Sequence, residues 1–360
     1  TVCEREVEMT AHAPDYRLVA DAAMNRMTPW LPLYEHNVCY GFFDTITASE
    51  SSKLLAGDGA DKREFFRRYT KFLVDHGYDV VPFEGCVVEL IQNGEGLMGR
   101  GKPLFSSAAE VKSYPWEEVP DRYFARFSPY FDALEATLPE GMKAVGGVGN
   151  GIFETAQDFV PFTDLSYLMV DDEEAFALLF AKVGDLFTEI WRRFLARYAD
   201  MYAVCRFGDD LGFKSATLLQ PSVITEHIIV QYRRIIDQVH RAGKPFLLHC
   251  CGKIFDVMEP IIDAGIDAKH SNEDAIAPFS EWVARYGDRI GNFGGIDMNV
   301  LCIEDEPTIR AYVTDVLRYC EGKRGIAIGS GNQIADYVPP EGFEAMIGAV
   351  LDWRTHHRHA

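Results

Sequence analysis

The sequence is short of positive charge: 35 Lys plus Arg stand against 55 Asp plus Glu, a formal net charge of −20 with His neutral. Phosphate backbones and anionic membranes are bound through clustered Lys and Arg that displace counterions, so neither nucleic acid nor membrane is an expected partner. Long apolar runs are missing as well. No uncharged apolar stretch of about 18 residues occurs, and Thr1 to Glu8 carries acids where a signal peptide would have a basic and then an apolar stretch. A soluble cytoplasmic protein is expected. Cysteine is sparse, eight in 360 residues, and most lie inside apolar runs such as Met201–Cys205, as buried reduced thiols do. Cys250 and Cys251 are adjacent, and a bridge between them would need a strained turn. Internal repeats, low-complexity tracts and Pro- or Ser-rich linkers are also lacking, so one domain is expected over residues 1–360.

What the chain does have is 48% apolar and 12% aromatic residues, enough to fill a large core. Short β-type runs alternate with long amphipathic stretches from about residue 30 onward, the pattern of a parallel sheet. The runs are Leu31–His36, Val80–Gly85, Lys143–Asn150, Met201–Gly208, Pro245–Cys251, Asp267–Asn272, Arg289–Asp297 and Ile326–Gly331. Helices are expected at Lys62–His76, Arg122–Ala136, Glu173–Ala199, Ser222–Ala242, Phe255–Ala264, Pro278–Tyr286, Pro307–Cys320 and Glu341–Trp353, with Leu18–Met27 ahead of the first strand. Eight strands each followed by a helix predict an α/β fold, a (β/α)8 TIM barrel with an N-terminal extension. In Ser222–Ala242 the stripe Val223, Ile228, Ile229, Tyr232, Ile235, Ile236, Val239 falls at helical spacing, Ser222 is placed to cap its start and Gly243 its end. Cys86–Trp116 breaks the rhythm, with two loose strands and a Gly-rich stretch, and reads as an excursion that could cover the barrel mouth.

Chemistry in such a barrel gathers where strands end. Those ends carry Glu35-His36, Glu84, Asn150 with Glu154, Asp209-Asp210, His249-Cys250-Cys251, His270-Ser271-Asn272-Glu273, Asp297 and Ser330-Gly331-Asn332. Any one of them is explained by a solvated loop start. So many carboxylates on one rim, however, repel one another unless a cation relieves them. The sharpest element is His249-Cys250-Cys251-Gly252. In a strand His249 and Cys251 face the same side, so an imidazole nitrogen and a thiolate can approach one soft cation at about 2.0–2.3 Å while Cys250 faces away. A third ligand from another strand would leave a position open for substrate, the layout of a catalytic zinc site. The plain alternative is a core cysteine beside a polar histidine.

Three patterns carry nothing. Gly94 to Gly99 fits G-x-G-x-x-G, but Arg-Gly-Lys-Pro follows where a dinucleotide motif needs an apolar helix. Gly96 to Lys102 begins like a phosphate loop, yet Pro103 stands where a Ser or Thr must reach magnesium. The terminal run from Arg354 to Ala360, with its three histidines, reads as a solvated tail.

Residues 207–222 (FGDDLGFKSATLLQPS), then HRAGKPFLLHCCGKIFDVMEPIIDAGIDA, YGDRIGNFGGIDMNVL and PPEGFEAMIGAV resemble the uroporphyrinogen decarboxylase superfamily, in detail over the C-terminal half and by element order elsewhere. The resemblance implies a (β/α)8 barrel and two branches of function. Porphyrinogen decarboxylases hold substrate carboxylates with an Arg-Gln-Ala-Gly-Arg segment and carry an Asp in an FSDIL-like segment; this chain has NRMTPWLPLYEH and VVPFEG there. Without those arginines, and at net −20, a porphyrin bearing eight carboxylates is a poor substrate. The corrinoid-dependent methyltransferase branch uses His-x-Cys-Gly and a later Cys as zinc ligands. His249 and Cys251 match the first part, but Gly329-Ser330-Gly331 stands where the later Cys belongs.

The resemblance therefore implies zinc on His249, Cys251 and a third ligand, with Glu273 first and Asp210 or Glu35 as the other rim carboxylates. Asp210, Asp297 and Glu273 are the expected catalytic carboxylates, and Glu35, Asp209, His270, Ser330 and Asn332 the expected substrate-binding residues. The expected activity is methyl transfer between a small substrate (a methyl ether or a methylated amine or thiol) and a corrinoid. No Asp-x-His-x-x-Gly corrinoid motif occurs, so the corrinoid would come on a partner protein. A homodimer is compatible with the sequence. Rival readings are a metal-free decarboxylase or lyase acting on a small acid, and a non-catalytic corrinoid or small-ligand binding protein.

Overall fold

The computed structural model describes residues 12–91 and 101–357. Helix α1 (Arg17–Ala23) comes first, then α2 (Tyr40–Ile46) and α3 (Gly59–Asp75), which opens on a capping box between Asp58 and Asp61. Strand β1 (Val80–Cys86) is followed by α4 (Ala108–Ser113) and α5 (Val119–Glu135), and β2 (Lys143–Gly149) by α6 (Ile152–Phe159), α7 (Phe162–Asp171) and α8 (Glu173–Tyr198). After β3 (Tyr202–Gly208) come the short α9 (Pro221–Val223), a π-helical turn at Ile224–Ile229 and α10 (Val230–Arg241). The remainder alternates: β4 (Phe246–His249), α11 (Met258–Asp263), β5 (Ala268–His270), α12 (Phe279–Tyr286), β6 (Gly291–Ile296), α13 (Met298–Ile303), α14 (Glu306–Cys320), β7 (Ile326–Ser330) and α15 (Pro340–His356).

The seven strands pair in sequence order, all parallel, in a TIM-barrel-like α/β arrangement. Expected helices outside them bury their apolar stripes on the sheet. Tyr232, Ile235, Ile236 and Val239 of α10 are all buried, each worth about 1.5–3 kcal/mol of transfer free energy. Inside, a small cluster takes Val80, Val145, Val204, Leu247, Ala268, Phe293 and Ala327 from successive strands. Val19, Ala22 and Ala23 of α1 join it at the strand starts, so the end opposite the site is plugged.

The eighth strand is a correction. Leu31–His36 lies beside β7 but forms a single parallel bridge, Leu33 to Ile328, with Tyr34 N–H donating to Ile328 O and Ile328 N–H to Pro32 O. Pro32 has no N–H to give, and that limits how far a ladder can run. The segment still sits tight against the sheet, because a Cβ on Gly329 would fall 1.7 Å from the Tyr34 carbonyl oxygen.

The excursion is the second correction. Its described residues hold no strand: Val87–Leu90 is a 3-10 turn, and Leu104, Phe105, Tyr114 and Trp116 pack around Phe159 of α6. The G-x-G-x-x-G stretch lies outside the described residues. The third concerns the tail: α15 continues to His356, and Arg354 is buried, donating to Leu31 O and Gly77 O. The helix after β3 begins at Pro221 rather than on a Ser222 cap, because proline presets the first helical φ, while Gly243 ends it at φ +71°. No described helix is long and apolar enough to cross a membrane.

Candidate metal centre

The register of the sheet sets Gly208, His249 and His270 side by side across β3, β4 and β5. Past His249 the chain runs through Cys250 and Cys251 to Gly252, whose φ of +82° turns it away from the rim; a Cβ there would meet Gly212 backbone at 2.2 Å. His249 and Cys251 converge, Nε2 to Sγ at 3.3 Å. Cys250 turns the other way into the core, where its sulfur accepts from the Leu211 N–H.

Hydrogen bonding fixes which nitrogen of His249 is bare. The Ser330 carbonyl can only accept, so His270 Nε2, 3.0 Å away, carries its proton. Burial pushes the His270 pKa down to about 3, so that ring is neutral and its Nδ1 is an acceptor. His249 Nδ1, 2.8 Å from His270 Nδ1, must therefore be the donor. Burial and the adjacent His270 likewise hold His249 well below the usual histidine range. Its Nε2 is left with an open lone pair aimed at Cys251 and Asp210, the form in which histidine binds metals.

The third member is Asp210. Asp210, His249 and Cys251 place one ligand atom each within 4.8 Å of one another. Asp210 Oδ1 accepts from the Cys251 N–H at 2.7 Å and lies 4.0 Å from His249 Nε2. Ser271 Oγ at 3.3 Å and Asn332 Nδ2 at 3.5 Å both donate toward the Cys251 sulfur. Burial, and then the Asp210 carboxylate, push the Cys251 thiol well above its ordinary pKa. A divalent cation among the three groups would reverse that. Imidazole nitrogen, thiolate and carboxylate are ligands zinc accepts, so the residues fit the metal. A second group, His36, His249 and His270, is also close enough to chelate, but His249 Nδ1 and His270 Nδ1 are already spent on each other.

The other expected site residues are distributed differently. Glu273 is half-buried and belongs to neither chelating group among the described residues; Asp210 occupies the place expected of it. Asp209 is wholly buried, and its carboxylate accepts from Phe153 N–H, Glu154 N–H and Tyr232 O–H. It thus caps the start of α6, an anion at a helix N-terminus, and is unavailable to substrate. Asp297, expected to be catalytic, caps α13 through Asn299 N–H and accepts from Asp274 N–H. Glu35 is 2% exposed and grips Ser330, accepting from its N–H at 3.0 Å and from its hydroxyl, with Tyr78 O–H on the same carboxylate. Burial pushes Glu35 up to about 7. Ser330 and Glu35 therefore hold each other instead of substrate or metal, and His270 acts behind His249. Asn332 reaches the site through the sulfur.

Two charged residues escaped the sequence reading. Arg206 on β3 is 1% exposed and donates to Glu84 at 2.6 Å and to the His36 carbonyl at 2.5 Å. Lys269 on β5 is buried over the Trp282 ring at 3.7 Å, donates to Ser271 O, and is pushed down to about 8 by burial. The available signal was a lone cation inside an apolar strand run. His36 was visible at a strand end; its ring stacks on His249 at 3.7 Å.

An all-parallel barrel-like sheet with a chelating group at its C-terminal mouth is an enzyme architecture of the α/β class. The family model for uroporphyrinogen decarboxylase (URO-D) matches residues 85–353, and the chain belongs to that family. Among solved structures, a methyltransferase from Methanosarcina mazei superposes with a TM-score of 0.73 at 14% identity, covering 95% of this chain and 99% of that one. At that identity the likeness establishes the fold. A glycoside hydrolase family 5 enzyme from Prevotella bryantii covers 94% of this chain and 99% of its own at 11% identity, with a TM-score of only 0.46. No curated protein matches the chain in sequence.

Proposed function

We propose that this protein is a zinc-dependent methyltransferase that moves a methyl group between a small substrate and a corrinoid carried by a partner protein. The observation carrying the reading is the convergence of a bare His249 Nε2, the Cys251 sulfur and the Asp210 carboxylate at the barrel mouth. His249, Cys251 and Asp210 would hold the metal with a coordination position to spare. Zinc bound there supplies Lewis acidity toward the heteroatom that bears or receives the methyl group. His270 keeps His249 in the binding tautomer, Ser271 and Asn332 stabilise the sulfur as thiolate, and Glu35 holds the Ser330 carbonyl that orients His270. The family membership and the fold shared with a methyltransferase support the reading.

The test is the zinc content of protein purified without added metal, together with methyl transfer to reduced free cobalamin. About one zinc per chain is expected in the wild type, a near-complete loss in Asp210→Asn, and retention in Glu273→Gln. Activity with no metal in the wild type would sink the proposal. One observation favours a second reading, decarboxylation of a small acid. Glu154, beside Asp210 and Asn150, is pushed well up by burial and by Asp210, as a proton donor would be. Carbon dioxide release unaffected by chelators would favour it.

A further inference from the structure

Lys269 on β5 is 3% exposed, and a lysine buried so far is ordinarily set against a carboxylate. Among the described residues it makes no ion pair; its ammonium lies over the Trp282 ring and donates to the Ser271 carbonyl. Alternation along the strand turns it toward α12, away from the interior that Ala268 enters. It still bears on the metal-competent group in two ways. The carbonyl that it holds belongs to Ser271, whose hydroxyl lies 3.3 Å from the Cys251 sulfur and 3.5 Å from the Cys250 carbonyl and has a single proton for the two. Its charge also reaches Asp210 and Cys251, where it favours the anionic forms, and His249 and His270, which after burial it helps to keep neutral. Burial lowers its own pKa only to about 8, so it holds its proton at pH 7.

In a desolvated site such a charge requires compensation. The Cys251 thiolate and the Asp210 carboxylate together would balance a divalent cation, and His249 is neutral, so Lys269 leaves one positive charge over. The other acids nearby are engaged elsewhere: Glu84 pairs with Arg206, Asp209 accepts from the start of α6, and Glu35 is held by Ser330. Glu154 is pushed well up by burial and by Asp210, and Glu273 is half-buried and partly screened by solvent. We propose that Lys269 is a positioning residue whose fixed charge makes the open position on the metal select an anion over a neutral ligand. The inference rests on the zinc reading of the site and adds a residue to it. In methyl transfer that anion is the heteroatom, which keeps the electron pair of its bond to the methyl carbon while the carbon bonds to the electron pair of the reduced cobalt.

The test uses the full chain, stripped by a chelator and reloaded with Co2+, whose visible spectrum reports each ligand that joins it. Azide, an anion, and pyridine, a neutral base, are titrated separately at pH 7 into the wild type, Lys269→Gln and Lys269→Arg. Gln keeps a donor for the Ser271 carbonyl without the charge, and Arg keeps the charge. Azide is expected to bind Lys269→Gln at least fivefold more weakly than the wild type and Lys269→Arg within threefold of it, with pyridine within twofold in all three. Thermal melts identify the folded variants, and either one alone decides. Unchanged azide affinity in Lys269→Gln, equal losses of azide and pyridine in either variant, or loss of azide alone in Lys269→Arg would overturn the inference. So would a wild type that takes up Co2+ and binds no azide, and in each of these cases the zinc reading stands. A wild type that takes up no Co2+ sinks the zinc reading and this inference with it.

Discussion

Replacing His270 by Phe tests the tautomer argument most directly. The aromatic shape is kept, but the acceptor for His249 Nδ1–H and the donor to the Ser330 carbonyl are both removed. His249 is 5% exposed, so its Nδ1–H would be left buried without a partner, at a cost of about 1–3 kcal/mol. The ring can escape by moving its proton to Nε2, which ends its use as a ligand. Either way the loss falls on metal binding. Removing a partner that orients a metal-bound histidine typically weakens affinity about 10–100-fold, or about 1.4–2.7 kcal/mol. Zinc affinity, measured by competition with a chromophoric chelator, should fall by that factor in His270→Phe and remain near wild type in Ser330→Ala, because Ser330 contributes only its backbone carbonyl to this chain of bonds. A His270→Phe protein that folds and binds zinc within twofold of the wild type would refute the reasoning. So would a Ser330→Ala protein that loses zinc outright.

Two further outcomes concern stability. The Glu35 pKa is raised in the folded state, from an ordinary 4.5 to about 7, mainly by burial. The folded protein therefore holds the proton more tightly, and the stabilisation is complete below about pH 4.5 and lost as pH rises through 7. The difference corresponds to about 3 kcal/mol at most. Urea unfolding of wild type and Glu35→Gln from pH 4.5 to 8 should show the wild type losing stability relative to the variant as pH rises, and parallel pH curves would refute the assignment. Arg354→Met should lose about 2–4 kcal/mol by the same assay, since the Leu31 and Gly77 carbonyls lose buried donors; a loss under about 1 kcal/mol would show that these bonds contribute little.

Much of the fold was legible because its signals are local. Each of the seven sheet strands falls on an apolar run bounded by turn residues, and the long helices on stripes such as Tyr232 to Val239. Leu31–His36 was less legible, since one proline inside a β-type run decides between a strand and a single bridge. The short α2, α4, α6, α7 and α13 were missed, being too few residues to show a helical stripe; the start of α6 depends besides on Asp209, a partner distant in sequence. The site follows the same division. His249 and Cys251 could be paired from strand alternation alone. Asp209 and Asp210 could not be told apart, because adjacent residues leaving a strand face opposite sides, and only the position of α6 shows which one is used as a cap. Arg354 was misread for a similar reason: what buries it is Leu31 and Gly77, more than 270 residues earlier.

The serine at position 330 and the aspartate at 210 bear on each other. A site made of one neutral imidazole and two anions balances a divalent cation, which a desolvated pocket requires. Loss of a thiolate at position 330 would leave the cation in charge excess. In this chain Glu35 takes hold of Ser330, so the serine stays bound within the wall of the barrel. Asp210 stands across the mouth beside Cys251 and His249, placing the second carboxylate or thiolate group just after β3 instead of at the end of β7. Zinc held there, as proposed, would receive less charge from this harder oxygen ligand than from a soft thiolate and would be a stronger Lewis acid. Such a metal would favour an oxygen-bound methyl group over a sulfur-bound one.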